Sequence, residues 1–167
     1  PVVLQTLVAL AKEQGSPLTK ELLHQLLDGY YIQVGLLVTF IALLFAIPAG
    51  YALARIPMRG ARVTITLILA TRMLPAISTV IPLYLVAATF GLLDTKAVLI
   101  VLYLSFVLPF AVWILSGFFA SVPKEVEEAA TLDGLGPLGR LLRVQLPLAA
   151  PSVTAAALLT FIASWNE

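Results

Sequence analysis

The residue types that perform covalent chemistry are scarce in this sequence. It has no cysteine and a single histidine, His24, so disulfide frameworks, thiolate metal sites and thiol nucleophiles are excluded together. A lone histidine in a leucine-patterned stretch reads as a surface or packing residue. Ser78, Ser105 and Ser116 have no histidine or acidic partner within the same apolar stretches, so the relay of an intramembrane serine hydrolase has no parts. No glycine-rich loop followed by lysine is present to cradle a phosphate. What remains is charge placed where it is costly or grouped. Arg72 sits about ten residues into a hydrophobic run, hence ~15 Å deep. A central arginine costs roughly 2.5–3.5 kcal/mol on insertion scales, so this one should face a bundle interior or an aqueous cavity. There it either donates to polar groups in that cavity or caps backbone carbonyls near Pro75. The grouped charges are Glu125, Glu127 and Glu128, within a segment from Ser121 to Pro151.

The elements that hold these residues follow from composition. The chain has 167 residues, of which 60% are hydrophobic and 11% charged, where a soluble domain is about 45–50% apolar and about 25% charged. With a mean hydropathy of +1.03, its solvent is largely lipid. Disorder and nucleic-acid binding are excluded, because the first needs polarity and the second a basic excess. Charge-free stretches run from Gly29 to Ala54, Met73 to Leu93, Ala97 to Pro123 and Val144 to Asn166. About 20 residues cross a bilayer core, so four transmembrane helices are predicted, the second starting near Val63 and carrying Arg72 inside it. Prolines 48, 75, 82 and 109 lie within these spans and favour kinks, as in helices that line a pathway. Ala42, Ala46, Gly50 and Ala54 form a small-residue stripe that permits close helix packing.

Four spans place the Arg55 to Arg62 and Ser121 to Arg143 connections on one side. That side holds Arg55, Arg59, Arg62, Lys124, Arg140 and Arg143, against Lys12, Lys20 and Lys96 on the other, so it is cytoplasmic. Residues 1–28 are then an extracytoplasmic amphipathic lead-in, and 29–167 a membrane domain with a cytoplasmic loop at 121–146. The chain opens on Pro1 and stops within a hydrophobic pattern at Asn166-Glu167, which predicts a fragment of a longer chain. In the loop, Pro123 should start a helix whose carboxylates suit its positive end. Val126, Ala129 and Ala130 would form its apolar face, and Gly134 would end it. A second short helix would carry Leu138, Leu141 and Leu142 on one side, with Arg140 and Arg143 toward water or lipid headgroups, before Leu146-Pro147 turns into the last span. Composition alone fits a solvated juxtamembrane loop as well as a plug for a partner's groove.

The motifs decide between these. Glu128-Ala129-Ala130, then Gly134, Val144 and Leu146-Pro147 at their spacing resemble the EAA signature of permeases of binding-protein-dependent ATP-binding cassette (ABC) importers. Asp133-Gly134, Pro147-Leu148, Pro151, Ile81-Pro82-Leu83-Tyr84, Leu108-Pro109-Phe110, Gly117-Phe118-Phe119, Trp165-Asn166-Glu167 and the run from Pro48 to Arg55 resemble the carbohydrate branch of that family, which contains the maltose permease inner subunits. The likeness extends from about Gly29 to the end.

The resemblance implies an all-α integral membrane protein, a polytopic helical bundle of the type I ABC importer permease kind with a cytoplasmic coupling helix, in the inner membrane of a prokaryote. Its partners would be ATP-binding cassette ATPase subunits, a second permease subunit, an extracytoplasmic solute-binding protein and membrane lipid, with no nucleic acid. The chain itself would be no enzyme and hold no cofactor or metal, since ATP and Mg would be bound by the partner ATPase. Glu128 would be the polar contact with that ATPase, Ala129 and Ala130 the close-packed face, Gly134 the break that sets the loop's angle, and Asp133 a local cap, with Leu146 and Pro147 closing the motif. Arg72, Tyr84, Trp113 and Asn166 are the pathway candidates, the aromatics as stacking platforms for a sugar ring. Family members carry a further transmembrane helix before this region and at least one after it. An importer for a peptide, amino acid or anion, or a membrane anchor without transport, are the alternatives.

Overall fold

A computed structural model describes the backbone of residues 17–93 and 95–166, and side chains within that range except those of residues 17–28, 76 and 166. His24, the side chain of Asn166 and most of the lead-in at 1–28 therefore lie outside the described residues. Those that are described form helices: α1 (Pro17–Arg55), α2 (Ala61–Thr71), α3 (Ala76–Thr89), α4 (Lys96–Ser121), α5 (Lys124–Leu132), α6 (Pro137–Arg140) and α7 (Leu146–Asn166). Leu141–Gln145 is a π turn that joins α6 to α7 without a break. Three stretches are long and apolar enough to cross a membrane: Gly29–Arg55, Lys96–Ser121 and Pro137–Trp165.

α1 and α4 run parallel. Lys96 Nζ donates to Gln33 Oε1 at 3.2 Å at one end, and Arg55 Nε donates to the Phe119 carbonyl at 2.8 Å at the other. The small-residue stripe lies in this seam, with Ala42 and Ala46 fully buried. A Cβ on Gly50 would stand 3.1 Å from the Ser116 nitrogen and 3.2 Å from Leu115 Cβ, so the backbones meet where only glycine leaves room. α7 packs against both in the opposite sense, its Phe161 ring on Gly35. The main core joins Ala46, Tyr51, Ala111, Leu115, Phe119, Leu141 and Ala149. A smaller one joins Val34, Val38 and Tyr103 toward the Lys96 end.

Because α1 and α4 are parallel, the chain must return between them from the Arg55 end to the Lys96 end. The predicted single second span is corrected here: the return is made by α2 and α3, 11 and 14 residues long, which together reach ~37 Å. The break covers Arg72 to Pro75. Pro75 has no N–H and forces the preceding residue out of helical geometry, so α2 closes with tight bonds from Arg72 N to Leu69 O and from Met73 N to Ala70 O. Pro48, Pro82 and Pro109, by contrast, sit inside continuous helices.

The last span is also corrected. It starts at Pro137 rather than near Pro147, and Leu146-Pro147 makes no turn. Pro147 cannot donate to the carbonyl four residues back, and the π turn immediately upstream absorbs that defect.

Candidate functional site

The loop helix α5 starts after Pro123, which occupies the N-cap rather than the first helical position. It ends at Asp133, whose N–H bonds the Ala129 carbonyl. Gly134 follows with φ +80°, the left-handed conformation that glycine adopts at no steric cost. Leu135 N then reaches back to the Ala130 carbonyl at 3.0 Å.

The two faces of α5 do different things. Glu125, Glu128, Ala129 and Leu132 are exposed, at the i, i+3, i+4, i+7 spacing of one helical face. Leu132 is 89% exposed. Ala130 turns the other way and is buried, with Val126 and Glu127 beside it half-buried. The predicted joint face of Val126, Ala129 and Ala130 is thus divided, because successive residues on a helix point ~100° apart. Ala130 packs on its own chain while Ala129 is offered outward with Glu128.

On the inward side lies a cluster that sequence reasoning missed. Tyr51 Oη donates to Glu127 Oε1 at 2.7 Å. Glu127 Oε2 stands 3.5 Å from Arg55 Nε, and its Oε1 stands 3.9 Å from Arg140 Nη1. Arg140 also donates to Thr131 Oγ1 at 2.9 Å, so it turns toward α5 and not to water as expected. Leu141 is buried beneath it, while Leu138 and Leu142 are exposed. Arg55 donates as well to the carbonyls of Phe119 and Val122. These lie at the C-terminal end of α4, where the last carbonyls have no partner within the helix and the helix dipole favours a cation. Tyr51 meets the Phe119 ring edge-on at 5.9 Å. A signal existed: Tyr51 and Arg55 are four residues apart on α1 and so share a face, and Glu127 is one turn from Ala130.

Arg72, at the α2–α3 break, lines a cleft of about 440 Å³ with Thr71, Thr79, Ser105, Phe106 and Pro109. Its Nη1 donates to the Phe106 carbonyl at 2.7 Å, in the turn preceding Pro109, and its guanidinium lies 5.3 Å over the Phe110 ring. It therefore meets a carbonyl near Pro109 rather than near Pro75. The residue is exposed to the cleft, and one hydrogen bond leaves most of its five donors free to meet another group there. Phe110 in turn lies 6.2 Å from Trp113, which is 41% exposed. Tyr84 is not part of this group: it lines a separate cleft with Tyr30, Thr95 and Leu102. Leu146 is half-buried and Pro147 exposed at the start of α7.

Comparison with known proteins places these features in context. Residues 46–167 match the family described as binding-protein-dependent transport system inner membrane component. A trehalose transport system permease protein of Mycobacterium tuberculosis is 42% identical over 136 residues, covering 81% of this chain and 50% of that protein. A diacetylchitobiose uptake system permease protein of Streptomyces coelicolor is 36% identical over 143 residues, 83% of this chain and 47% of that one. A trehalose/maltose transport system permease protein of Thermococcus litoralis is 35% identical over 136 residues, 81% and 49% respectively. Among solved structures, a bacterial ABC transporter involved in the import of the acidic polysaccharide alginate superposes with a TM-score of 0.66 at 31% identity, over 82% of this chain and 46% of that one. The chain spans about half the length of the curated relatives it matches.

Proposed function

Because the chain belongs to the family of binding-protein-dependent transport system inner membrane components, we propose that it is a membrane-spanning permease subunit of an ATP-driven importer, forming part of a sugar pathway and taking its drive through α5. The observation that carries this is the outward face of α5. Two carboxylates, a small residue and an exposed leucine are presented on a helix whose other face is fastened to the membrane helices. Glu128 and Glu125 pair with basic groups of an ATPase subunit, Ala129 lets its surface come close, and Leu132 enters a hydrophobic recess. Gly134 and Asp133 fix the angle at which α5 is offered, and Leu146-Pro147 carries the loop into α7.

The remaining partners follow from this role: a second permease subunit, a pair of ATPases that bind the ATP and Mg, and an extracytoplasmic solute-binding protein. Closure of the ATPase pair draws two such helices together, and the membrane helices open alternately to each side. This chain performs no covalent step. Its contribution in the membrane is the cleft where Arg72 supplies donors for hydroxyl groups and the Phe110–Trp113 pair supplies ring faces. That the relatives named above are described as carriers of trehalose, maltose and diacetylchitobiose supports a sugar as the solute.

Uptake by a strain deleted for the full reading frame tests the proposal. Labelled trehalose, maltose and diacetylchitobiose are compared with a labelled dipeptide and glutamine. Loss of uptake of one of the sugars, restored by the intact gene, is the expected result. Unchanged uptake of every sugar together with loss of the dipeptide or glutamine would overturn the sugar assignment.

A further inference from the structure

Glu127 and Glu128 are chemically identical and adjacent, yet the helix sends one inward and the other outward. The Glu127 side chain is 12% exposed and that of its partner Arg55 only 6%. A carboxylate that merely keeps a loop out of the bilayer stays in water. One that is withdrawn needs full compensation, because an unpaired buried charge is strongly destabilising. Here the compensation comes from two separate elements, and one of the groups that supplies it also holds a third. Tyr51 and Arg55 belong to α1, Arg140 to α6, and Arg55 simultaneously holds the terminal carbonyls of α4.

The covalent connections of α5 are weak by comparison. It is attached through the extended Val122-Pro123 pair at one end and through Gly134 in a left-handed turn at the other. Pro123 holds its own φ fixed, but the extended pair interrupts the helix between α4 and α5, so turning is left to the ψ angles of Val122 and Pro123 and to Gly134, which has no Cβ to restrict it. A push on the outward face would turn α5 about these two ends and leave α1 and α4 where they are, unless something on the inward face resists. Apart from the packing of Ala130 and Val126 and the Arg140–Thr131 hydrogen bond, which ties α5 to α6 alone, the resisting group is the Glu127 carboxylate, the one that reaches α1.

We infer that Glu127 is the positioning residue that locks α5, α6 and the adjoining ends of α1 and α4 into one body, so that a displacement of the outward face is delivered to the membrane helices. This rests on the importer reading above and adds to it the residues through which the movement passes. Arg55 is the shared member: it faces Glu127 with the same guanidinium that closes α4. Tyr51 fixes the orientation of the carboxylate from the side.

The test uses the full-length protein in its purified complex. These 167 residues contain no cysteine; with any cysteine elsewhere in the complex replaced by serine, nitroxide labels are introduced at Ala120, exposed at the end of α4, and at Gly136, where an added side chain meets nothing within 4 Å. Pulsed electron resonance then reads the distance between the labels with and without ATP and vanadate. In the intact protein the distance distribution is expected to be the same in both states. In Glu127→Gln it broadens, and its centre moves between the two states by ~2 Å or more, the scale of helix shifts at switching interfaces. Tyr51→Phe, which keeps the ring packed on Phe119, should show a smaller change of the same kind. A role confined to folding would alter yield without creating this nucleotide dependence. A shift of the distance in the intact protein overturns the inference, as does a Glu127→Gln distribution identical to the intact one. If Glu127→Gln does not accumulate, Tyr51→Phe decides. Loss of both variants from the membrane makes the cluster a folding element and also overturns it. Failure of the intact protein to bring down any ATPase would instead count against the importer reading, and the width of the Glu127→Gln distribution without nucleotide would still decide the role of Glu127.

Discussion

Two neighbouring glutamates show how much a single residue's direction matters here. Glu128 is free to meet a partner, whereas Glu127 is consumed by Tyr51, Arg55 and Arg140. The motif Glu128-Ala129-Ala130 was legible in the sequence, and so was the short helix that carries it. That Ala130 packs inward and Leu132 replaces it on the outer face was not, because which face of a short helix meets its own bundle is decided by tertiary contacts. Arg72 is a second case. Its place in a hydrophobic run was legible, but its partner, the Phe106 carbonyl, lies 34 residues away in sequence on another helix. A charged hydrogen bond contributes ~1.5–3 kcal/mol, so loss of one to the solute slows passage by about tenfold or more. Arg72→Met is therefore expected to lower sugar uptake to that extent while the complex is recovered in undiminished amount. Unchanged uptake would remove Arg72 from the pathway.

At the scale of elements, the close approach of α1 and α4 is the feature on which the rest hangs. The four-residue spacing of Ala42, Ala46, Gly50 and Ala54 announced it, and the structure seats Gly50 against the α4 backbone. Gly117 on α4, by contrast, has nothing within 4 Å of an added Cβ. Overpacking a tight contact costs ~1–3 kcal/mol, whereas glycine to alanine in an open helical position gains up to ~1 kcal/mol. Gly50→Val should thus lower the thermal unfolding temperature of the detergent-solubilised protein, and Gly117→Ala should leave it unchanged or raise it. Equal behaviour of the two would contradict the packing described. The broken return pass was only half legible. Pro75 signalled a distortion, but a proline inside a span can be accommodated in a continuous helix, as Pro109 is, or end one. The outcome depends on whether a neighbour restores the lost backbone bonds. Around α3 little packs, and the helix ends.

Taken whole, the molecule is a parallel pair of helices, a broken return between them and an antiparallel third crossing, with a loop helix fastened beneath. The membrane class was legible in composition, and the basic residues between Arg55 and Arg62 and between Lys124 and Arg143 predict which end of the bundle is cytoplasmic. The polar clamp under α5 was not foreseeable, since it joins residues 76 apart in the chain, Tyr51 and Glu127, and periodicity carries no information about such pairs. We propose that the outward face of α5 is where an ATPase takes hold. It is tested most directly by purifying the tagged full-length protein gently from its own membrane, intact and as Glu128→Arg and Leu132→Asp, and identifying co-purifying proteins by mass spectrometry. Reversing a charge that makes an ~1.5–3 kcal/mol contact weakens capture by about tenfold or more. An ATP-binding cassette ATPase should therefore accompany the intact protein and be strongly depleted from both variants. No ATPase with the intact protein, or undiminished amounts with both variants, would rule out this contact.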